Sequence, residues 1–150
     1  MCPTCNIIKT PRVFHCKTCD ACISVHDHHC PWLGTCVGQR NHKMFIYYGW
    51  ATKVHSAYSL ALCVRLIMSN ENVAMSPSDP NFAKLYIAQV GMAVYTFFVT
   101  LLLFFLTGYH TYLVCTNSTS SEDLKDKHKL WGGNPYDQGL SYNLKYFFKT

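Results

Sequence analysis

Seven of the nine cysteines, Cys2, Cys5, Cys16, Cys19, Cys22, Cys30 and Cys36, fall within the first 36 of 150 residues, interleaved with His15, His26, His28 and His29. Thiolates separated by two residues can chelate one tetrahedral zinc at about 2.3 Å, and the spacings Cys2-x2-Cys5 and Cys16-x2-Cys19-x2-Cys22 offer several such pairs. With no signal peptide ahead of the cluster, metal binding in a reducing compartment is expected rather than a disulfide framework. Seven Cys and four His offer eleven ligands, two closed four-coordinate sites consume eight, and three groups are left over. Neighbours in the run His26-Asp27-His28-His29-Cys30 cannot all turn toward one metal, and Pro31 holds Cys30 to extended backbone values. A thiol left free beside imidazoles and a carboxylate is the arrangement for nucleophilic catalysis, in which His accepts the thiol proton and Asp fixes the His tautomer. Cys30 is the reactive candidate. Spacing alone leaves open the reading in which Cys30 or His28 is another ligand, or part of a third zinc half-site.

The elements that must position these groups follow from composition. One domain-sized unit fits in 150 residues, which excludes separate cofactor and substrate lobes. Charged residues make up only 14% against 49% hydrophobic and 15% aromatic, so part of the chain is expected in lipid, and the net charge of +5 suits a membrane surface or a polyanionic ligand. Residues 1–43 carry Pro3, Pro11 and Pro31, which break helical patterns, so metal rather than an apolar core must hold this segment. Residues 44–68 are long enough to span a bilayer but are interrupted by Lys53, His55 and Arg65. Residues 85–121 contain no Asp, Glu, Lys or Arg, and the run from Leu85 to about residue 110 meets the spanning length. Between them lies SNENVAMSPSDPNFAK, a polar turn with Pro77 and Pro80. The expected architecture is a small metal-stabilised cysteine-rich domain (1–43), a two-helix transmembrane hairpin (44–115) and a short cytosolic tail (116–150). Lys9, Arg12, Lys17, Arg40 and Lys43 precede the hairpin and Lys125, Lys127, Lys129, Lys145 and Lys149 follow it, while the connecting loop has only Lys84. The positive-inside rule therefore places both ends in the cytosol, with Golgi, endoplasmic reticulum and plasma membrane all open as the host. The alternative, a buried two-helix core of a soluble protein, needs an uncharged core helix longer than most.

The sequence Asp27-His28-His29-Cys30, preceded by paired cysteines and followed by Pro31-Trp32 and Cys36-Val37-Gly38-x2-Asn41, resembles the Asp-His-His-Cys (DHHC) cysteine-rich domain of protein S-acyltransferases. The likeness extends to KTPRVFHC at 9–16, to the helix after Asn41 and Phe45, to Thr119-Ser120-Ser121-Glu122, which is similar to that family's Thr-Thr-x-Glu motif, and to NPYDQGLSYN at 134–143. Carried over position by position, it implies one structural zinc on Cys2, Cys5, His15 and Cys22 and a second on Cys16, Cys19, His29 and Cys36. It further implies Cys30 as acylated nucleophile, His28 as general base and Asp27 as its orienting carboxylate.

The implied chemistry is two-step transfer of a long-chain acyl (palmitoyl) group from acyl-CoA to cysteines of substrate proteins at the cytosolic membrane face. Lys9, Arg12 and Arg40 are candidates for the CoA phosphates, and Phe45, Tyr48 and His55, near one face of the first span, for lining the acyl chain. Asn134, Gly139 and Asn143 are expected to hold the C-terminal segment against the membrane module. The resembled family has four transmembrane helices with the cysteine-rich domain between the second and third. The chain is therefore expected to be a fragment lacking the first two, its core completed by missing helices or a partner subunit. The competing class is a catalytically incomplete, membrane-anchored zinc module that binds a partner protein. A nucleic-acid-binding finger is set aside, because a lipid-length span is present and paired Cys followed by paired His on a helix is absent.

Overall fold

Short, proline-broken segments leave room before residue 42 only for three-residue strands. The computed structural model describes residues 1–69, 81–125, 129 and 132–149. In it β1 (Phe14–Cys16) pairs antiparallel with β2 (Ala21–Ile23), and β3 (His28–Cys30) pairs antiparallel with β4 (Thr35–Val37). Helices among the described residues include α1 (His42–Met68), α2 (Phe82–Cys115), α3 (Ser120–Asp123) and α4 (Leu140–Lys149). Residues 70–80 of the expected polar turn, with Pro77 and Pro80, and Lys127 lie outside the described residues.

The chain divides into two compact units, one of residues 1–47 with 109–150 and the other of residues 48–108. In the first unit, the register sets His15 opposite Cys22 and His29 opposite Cys36. Directly opposed residues bring their Cβ atoms to about 4.5–5.5 Å, so each hairpin presents one His and one Cys side by side. Gly38 follows β4 because nothing larger fits: a Cβ there would lie 2.6 Å from Ile23 Cγ2 and 2.9 Å from the Ser24 carbonyl oxygen. Asn41 then ties the hairpin to the helix, accepting from the Gly38 N–H (2.9 Å) and donating to the Cys36 carbonyl (3.0 Å). Its own carbonyl takes the first helical bond, from Phe45 N–H at 3.0 Å.

The same unit holds the C-terminal elements. Thr119 caps α3 in a capping box: its hydroxyl accepts from Glu122 N–H (3.3 Å) while Glu122 Oε2 accepts from Thr119 N–H (3.0 Å). Asn134 donates to the Thr116 carbonyl (2.6 Å), and Asn143, on α4, donates to the Cys115 carbonyl (2.7 Å). These amides satisfy carbonyls at the end of α2 that no helical N–H can reach. They do so where the sequence reading expects the C-terminal segment to be held. Gly139 precedes α4 with φ +90, a value that strains any residue bearing a Cβ.

In the second unit, α1 and α2 touch through small and hydroxylic residues. Ser56 and Thr100 hydroxyls are 2.7 Å apart, and Gly49 faces Thr107. Lys53, a cation inside an otherwise apolar stretch, lies 3.3 Å over the Trp50 ring and 5.6 Å from the Phe104 ring. Among the described helices, α2 alone is long and apolar enough to cross a membrane by length and composition. Its large side chains are not packed into protein: Phe98, Leu102, Phe104 and Phe105 are each about 60% exposed or more. A core helix of a soluble protein would bury them.

Candidate active site and metal centres

The structure brings Cys2, Cys5, His15 and Cys22 together, and separately Cys16, Cys19, His29 and Cys36, with the ligating atoms of each set within 4.8 Å of one another. His15 Nδ1 lies 3.4 Å from Cys5 Sγ and 3.8 Å from Cys22 Sγ. His29 Nδ1 lies 3.7, 3.3 and 3.7 Å from the sulfurs of Cys16, Cys19 and Cys36, and Cys19 and Cys36 are 3.5 Å apart. A tetrahedral zinc with bonds of about 2.3 Å to sulfur and 2.0–2.1 Å to nitrogen has ligand–ligand edges of roughly 3.5–3.8 Å, so both sets fit such an ion. Electrostatics agree with the fit. Burial and the neighbouring sulfurs push the Cys22 thiol up to about 11 and the Cys36 thiol up to about 12, while hydrogen bonds pull Cys2 down to about 7 and, against burial, Cys16 down to about 6. Three thiolates cannot share so small a space without a cation.

The interleaving of the two sites follows from strand alternation. Successive side chains on a strand point to opposite faces, so His15 serves one site while Cys16, next on β1, serves the other. On β3 the same rule turns His29 into the second metal set and leaves His28 and Cys30 together on the opposite face. Cys30 belongs to neither ligand set and is buried.

Asp27, the residue before β3, is held by backbone and side chain. Its N–H donates to the Val37 carbonyl (3.0 Å), its Oδ1 accepts from Ser120 N–H (2.7 Å), and its Oδ2 accepts from Ser120 Oγ–H (3.0 Å) and from His28 Nδ1–H (2.6 Å). Burial alone would raise the Asp27 carboxyl, but the hydrogen bonds from His28 and Ser120 outweigh it and hold it at about 2. The bond to Asp27 pushes His28 up, burial pulls it partly back, and the Cys30 thiol adds to the upward push. A charged carboxylate with an imidazole that keeps its proton on Nδ1 leaves Nε2 as a base. His26, the third leftover group, is buried against Phe14 with ring centroids 5.0 Å apart, and burial pulls it down.

The remaining candidates fall differently. Lys9 and Arg40 are exposed. Arg12 is not free for an outside phosphate: its Nε and Nη2 donate to the two Glu122 carboxylate oxygens at 2.8 Å, while Nη1 and Nη2 donate to Asn117 Oδ1 and its carbonyl at 3.1 Å. Its guanidinium also lies 4.3 Å over the Tyr136 ring. With Arg12 and Glu122 side chains 8% and 3% exposed, this is an interior clamp that binds the cysteine-rich loop to the α3 cap. Arg12→Ala is expected to destabilise the unit by about 3–5 kcal/mol, the cost of leaving a buried carboxylate unpaired. Thermal unfolding in detergent checks this, and a shift no larger than that of an exposed Lys9→Ala contradicts it.

Phe45 packs edge-on to His28 with centroids 5.2 Å apart, whereas Tyr48 and His55 lie farther along α1, exposed, in the other unit. Sequence reasoning missed His110, whose Nδ1 comes within 3.8 Å of Asp27 Oδ2. Nothing in the residues around position 110 announces that contact, because its partner is more than eighty positions away.

A family model described as DHHC palmitoyltransferase matches residues 1–127. The chain belongs to the DHHC palmitoyltransferase family. It is 32% identical to "Probable protein S-acyltransferase 6" of Arabidopsis thaliana over 98% of its own length and 35% of that protein's. It is also 35% identical to "Palmitoyltransferase ZDHHC14" of Homo sapiens, over 92% of this chain and 28% of the relative. "Palmitoyltransferase ZDHHC8" of Drosophila melanogaster is 32% identical over 97% of this chain and 15% of the relative. The chain thus spans about a third or less of the curated relatives it matches, and the matched stretch holds both metal-ligand sets and the Asp27–His28–Cys30 group of this DHHC chain.

Proposed function

We propose that the chain is the catalytic region of a protein S-acyltransferase that moves a long-chain acyl group from acyl-CoA to cysteines of substrate proteins. The observation that carries the reading is the position of Cys30, outside both metal-ligand sets and on the strand face shared with His28, whose Nδ1–H is bonded to Asp27. Two structural zinc ions, on Cys2, Cys5, His15 and Cys22 and on Cys16, Cys19, His29 and Cys36, suit these sulfur-rich tetrahedral sets and would hold the strands rigid when bound.

In the first step His28 Nε2 takes the Cys30 thiol proton, and the thiolate attacks the thioester carbonyl of acyl-CoA. The carbon–sulfur bond to CoA breaks, and the leaving CoA thiolate is protonated by His28. In the second step His28 takes the proton of a substrate-protein cysteine, whose thiolate attacks the Cys30 thioester; the acyl carbon–Cys30 Sγ bond breaks, and His28 returns its proton to the Cys30 thiolate. Asp27 keeps the His28 tautomer and stabilises the imidazolium. Exposed Lys9 and Arg40 are left to meet the CoA phosphates, Arg12 being committed to Glu122.

Residues 1–43 would form the cytosolic module, and a hairpin with spans of about 44–68 and 85–110 would cross the bilayer with residues 116–150 returning to the cytosol. The apolar exposed surface of α2 and the basic residues at both ends support this topology. Phe45, Tyr48 and His55, near one face of α1 by spacing, would line the path of the acyl chain, each buried CH₂ of which contributes about 0.8 kcal/mol. Presented in liposomes with an alkyne analogue of palmitoyl-CoA, the wild-type chain is expected to take up hydroxylamine-sensitive label and Cys30→Ser to take up none at equal metal content. Undiminished label on Cys30→Ser would overturn the assignment.

A further inference from the structure

Beside the Asp27–His28 pair sits a polar atom that the mechanism above does not use. His110 has a side chain only 6% exposed, and its Nδ1 has no hydrogen-bond partner among the described residues. That nitrogen lies 3.8 Å from Asp27 Oδ2, the oxygen that accepts from His28 Nδ1 and Ser120 Oγ. Phe45 stands edge-on to both imidazoles, with centroids 5.2 Å from His28 and 4.8 Å from His110, while the two imidazole rings are 5.5 Å apart.

A ring placed there only for its volume would be apolar, because a buried nitrogen without a partner is unfavourable and rare. An orphan nitrogen aimed at a charged oxygen just beyond bonding distance suits a bond made during reaction, since hydrogen bonds around catalytic groups tighten as substrate binds. We propose that His110 is a positioning residue for the acyl transfer, a role that rests on the reading of Cys30, His28 and Asp27 given above. As the proton moves from Cys30 Sγ to His28 Nε2, the His110 Nδ1–H closes on Asp27 Oδ2 and keeps that carboxylate aimed at the His28 imidazolium. His110 touches neither acyl-CoA nor the reacting sulfur; it acts through Asp27.

Two variants separate the N–H from the ring. His110→Asn offers an amide nitrogen near the place of Nδ1, whereas His110→Phe keeps a ring against Phe45 without any N–H. Both are compared with wild type in liposomes by single-turnover formation of the acyl-enzyme over a range of palmitoyl-CoA concentrations. Iodoacetamide alkylation mapped to Cys30 is measured alongside, in the absence of acyl-CoA. His110→Phe is expected to lower the limiting acylation rate and the alkylation rate by about ten-fold or more, with the half-saturating palmitoyl-CoA concentration unchanged. His110→Asn is expected to restore both rates to within about three-fold of wild type.

A Phe variant that reacts like wild type at equal zinc content overturns the proposal, as does an equal loss in both variants or an effect confined to half-saturation. If the Phe variant binds less zinc than wild type, His110→Leu takes its place beside His110→Asn, and the same results support or overturn the proposal. Wild type that alkylates at Cys30 but accepts no acyl group counts against the acyltransferase reading, and alkylation alone then decides on His110.

Discussion

Cys36→Ala is expected to release one of two bound metal ions and to abolish acyl-enzyme formation. Cys36 stands opposite His29 in the β3–β4 pair, and that pair is only three residues long. So short a ladder has little stability of its own, whereas a structural zinc binds with roughly 10–16 kcal/mol that is folding energy for the segment it closes. His28 and Cys30 flank His29 on β3, so the strand that loses its anchor is the one that aligns them. Metal analysis of the purified variant should give about half the wild-type content, together with faster proteolysis of the cysteine-rich segment. A variant that keeps its full metal content and its acylation rate contradicts the assignment of Cys36.

Asp27→Asn is the second large effect, on the order of 10⁴-fold in acylation rate, the loss seen when a carboxylate that orients a catalytic histidine becomes an amide. The local hydrogen bonds explain why. The Ser120 N–H at 2.7 Å requires an acceptor in the place of Oδ1, so the amide oxygen goes there and the NH₂ takes the place of Oδ2, facing His28 Nδ1. His28 Nδ1 must then accept, its proton moves to Nε2, and the ring has no lone pair left for the Cys30 thiol. Metal content should stay at the wild-type value, which separates this result from that of Cys36→Ala. Single-turnover labelling checks it, and a loss of less than about ten-fold would mean that Asp27 does not set the tautomer.

The ligand arithmetic was legible because metal chemistry constrains residue type and spacing locally. Cys-x2-Cys pairs and a surplus of three groups need no fold to be noticed. Which group is spared depends on strand alternation at His28, His29 and Cys30, and these strands carry no apolar alternation by which a sequence reading finds strands. The two Cys/His sets, each able to hold a metal ion, converge across these strands, so the hairpins follow from the ligand sets rather than from local propensity. In the same way the sequence marks Asn143 as an anchor of the C-terminal segment but not the helix that carries it, α4, in which Asn143 and Phe147 turn inward and leave Tyr142, Lys145 and Phe148 outward.

Long-range pairings were illegible for a plainer reason. Arg12 reads as a candidate for the CoA phosphates until Glu122 and Asn117, more than one hundred positions later, take its donors. Ser120 reads as a conservative change within a motif, and only the structure gives its hydroxyl and N–H to Asp27. The uncharged run of α2 was legible because lipid length is written directly in composition. Helix α1 was less so, because its apolar run is broken by Lys53, which rests on the Trp50 ring.

In the proposed mechanism two metal sites consume six of the seven N-terminal cysteines and leave Cys30 to carry the acyl group. Its most direct test is to count zinc in the membrane-reconstituted chain, expose it to palmitoyl-CoA and map the palmitoyl adduct by peptide mass spectrometry before and after neutral hydroxylamine. The expected result is about two zinc ions per chain and a hydroxylamine-labile adduct confined to the peptide containing Cys30. A third zinc that is lost on Cys30→Ser, or an adduct on any of Cys2, Cys5, Cys16, Cys19, Cys22 and Cys36 in the zinc-loaded protein, would contradict it.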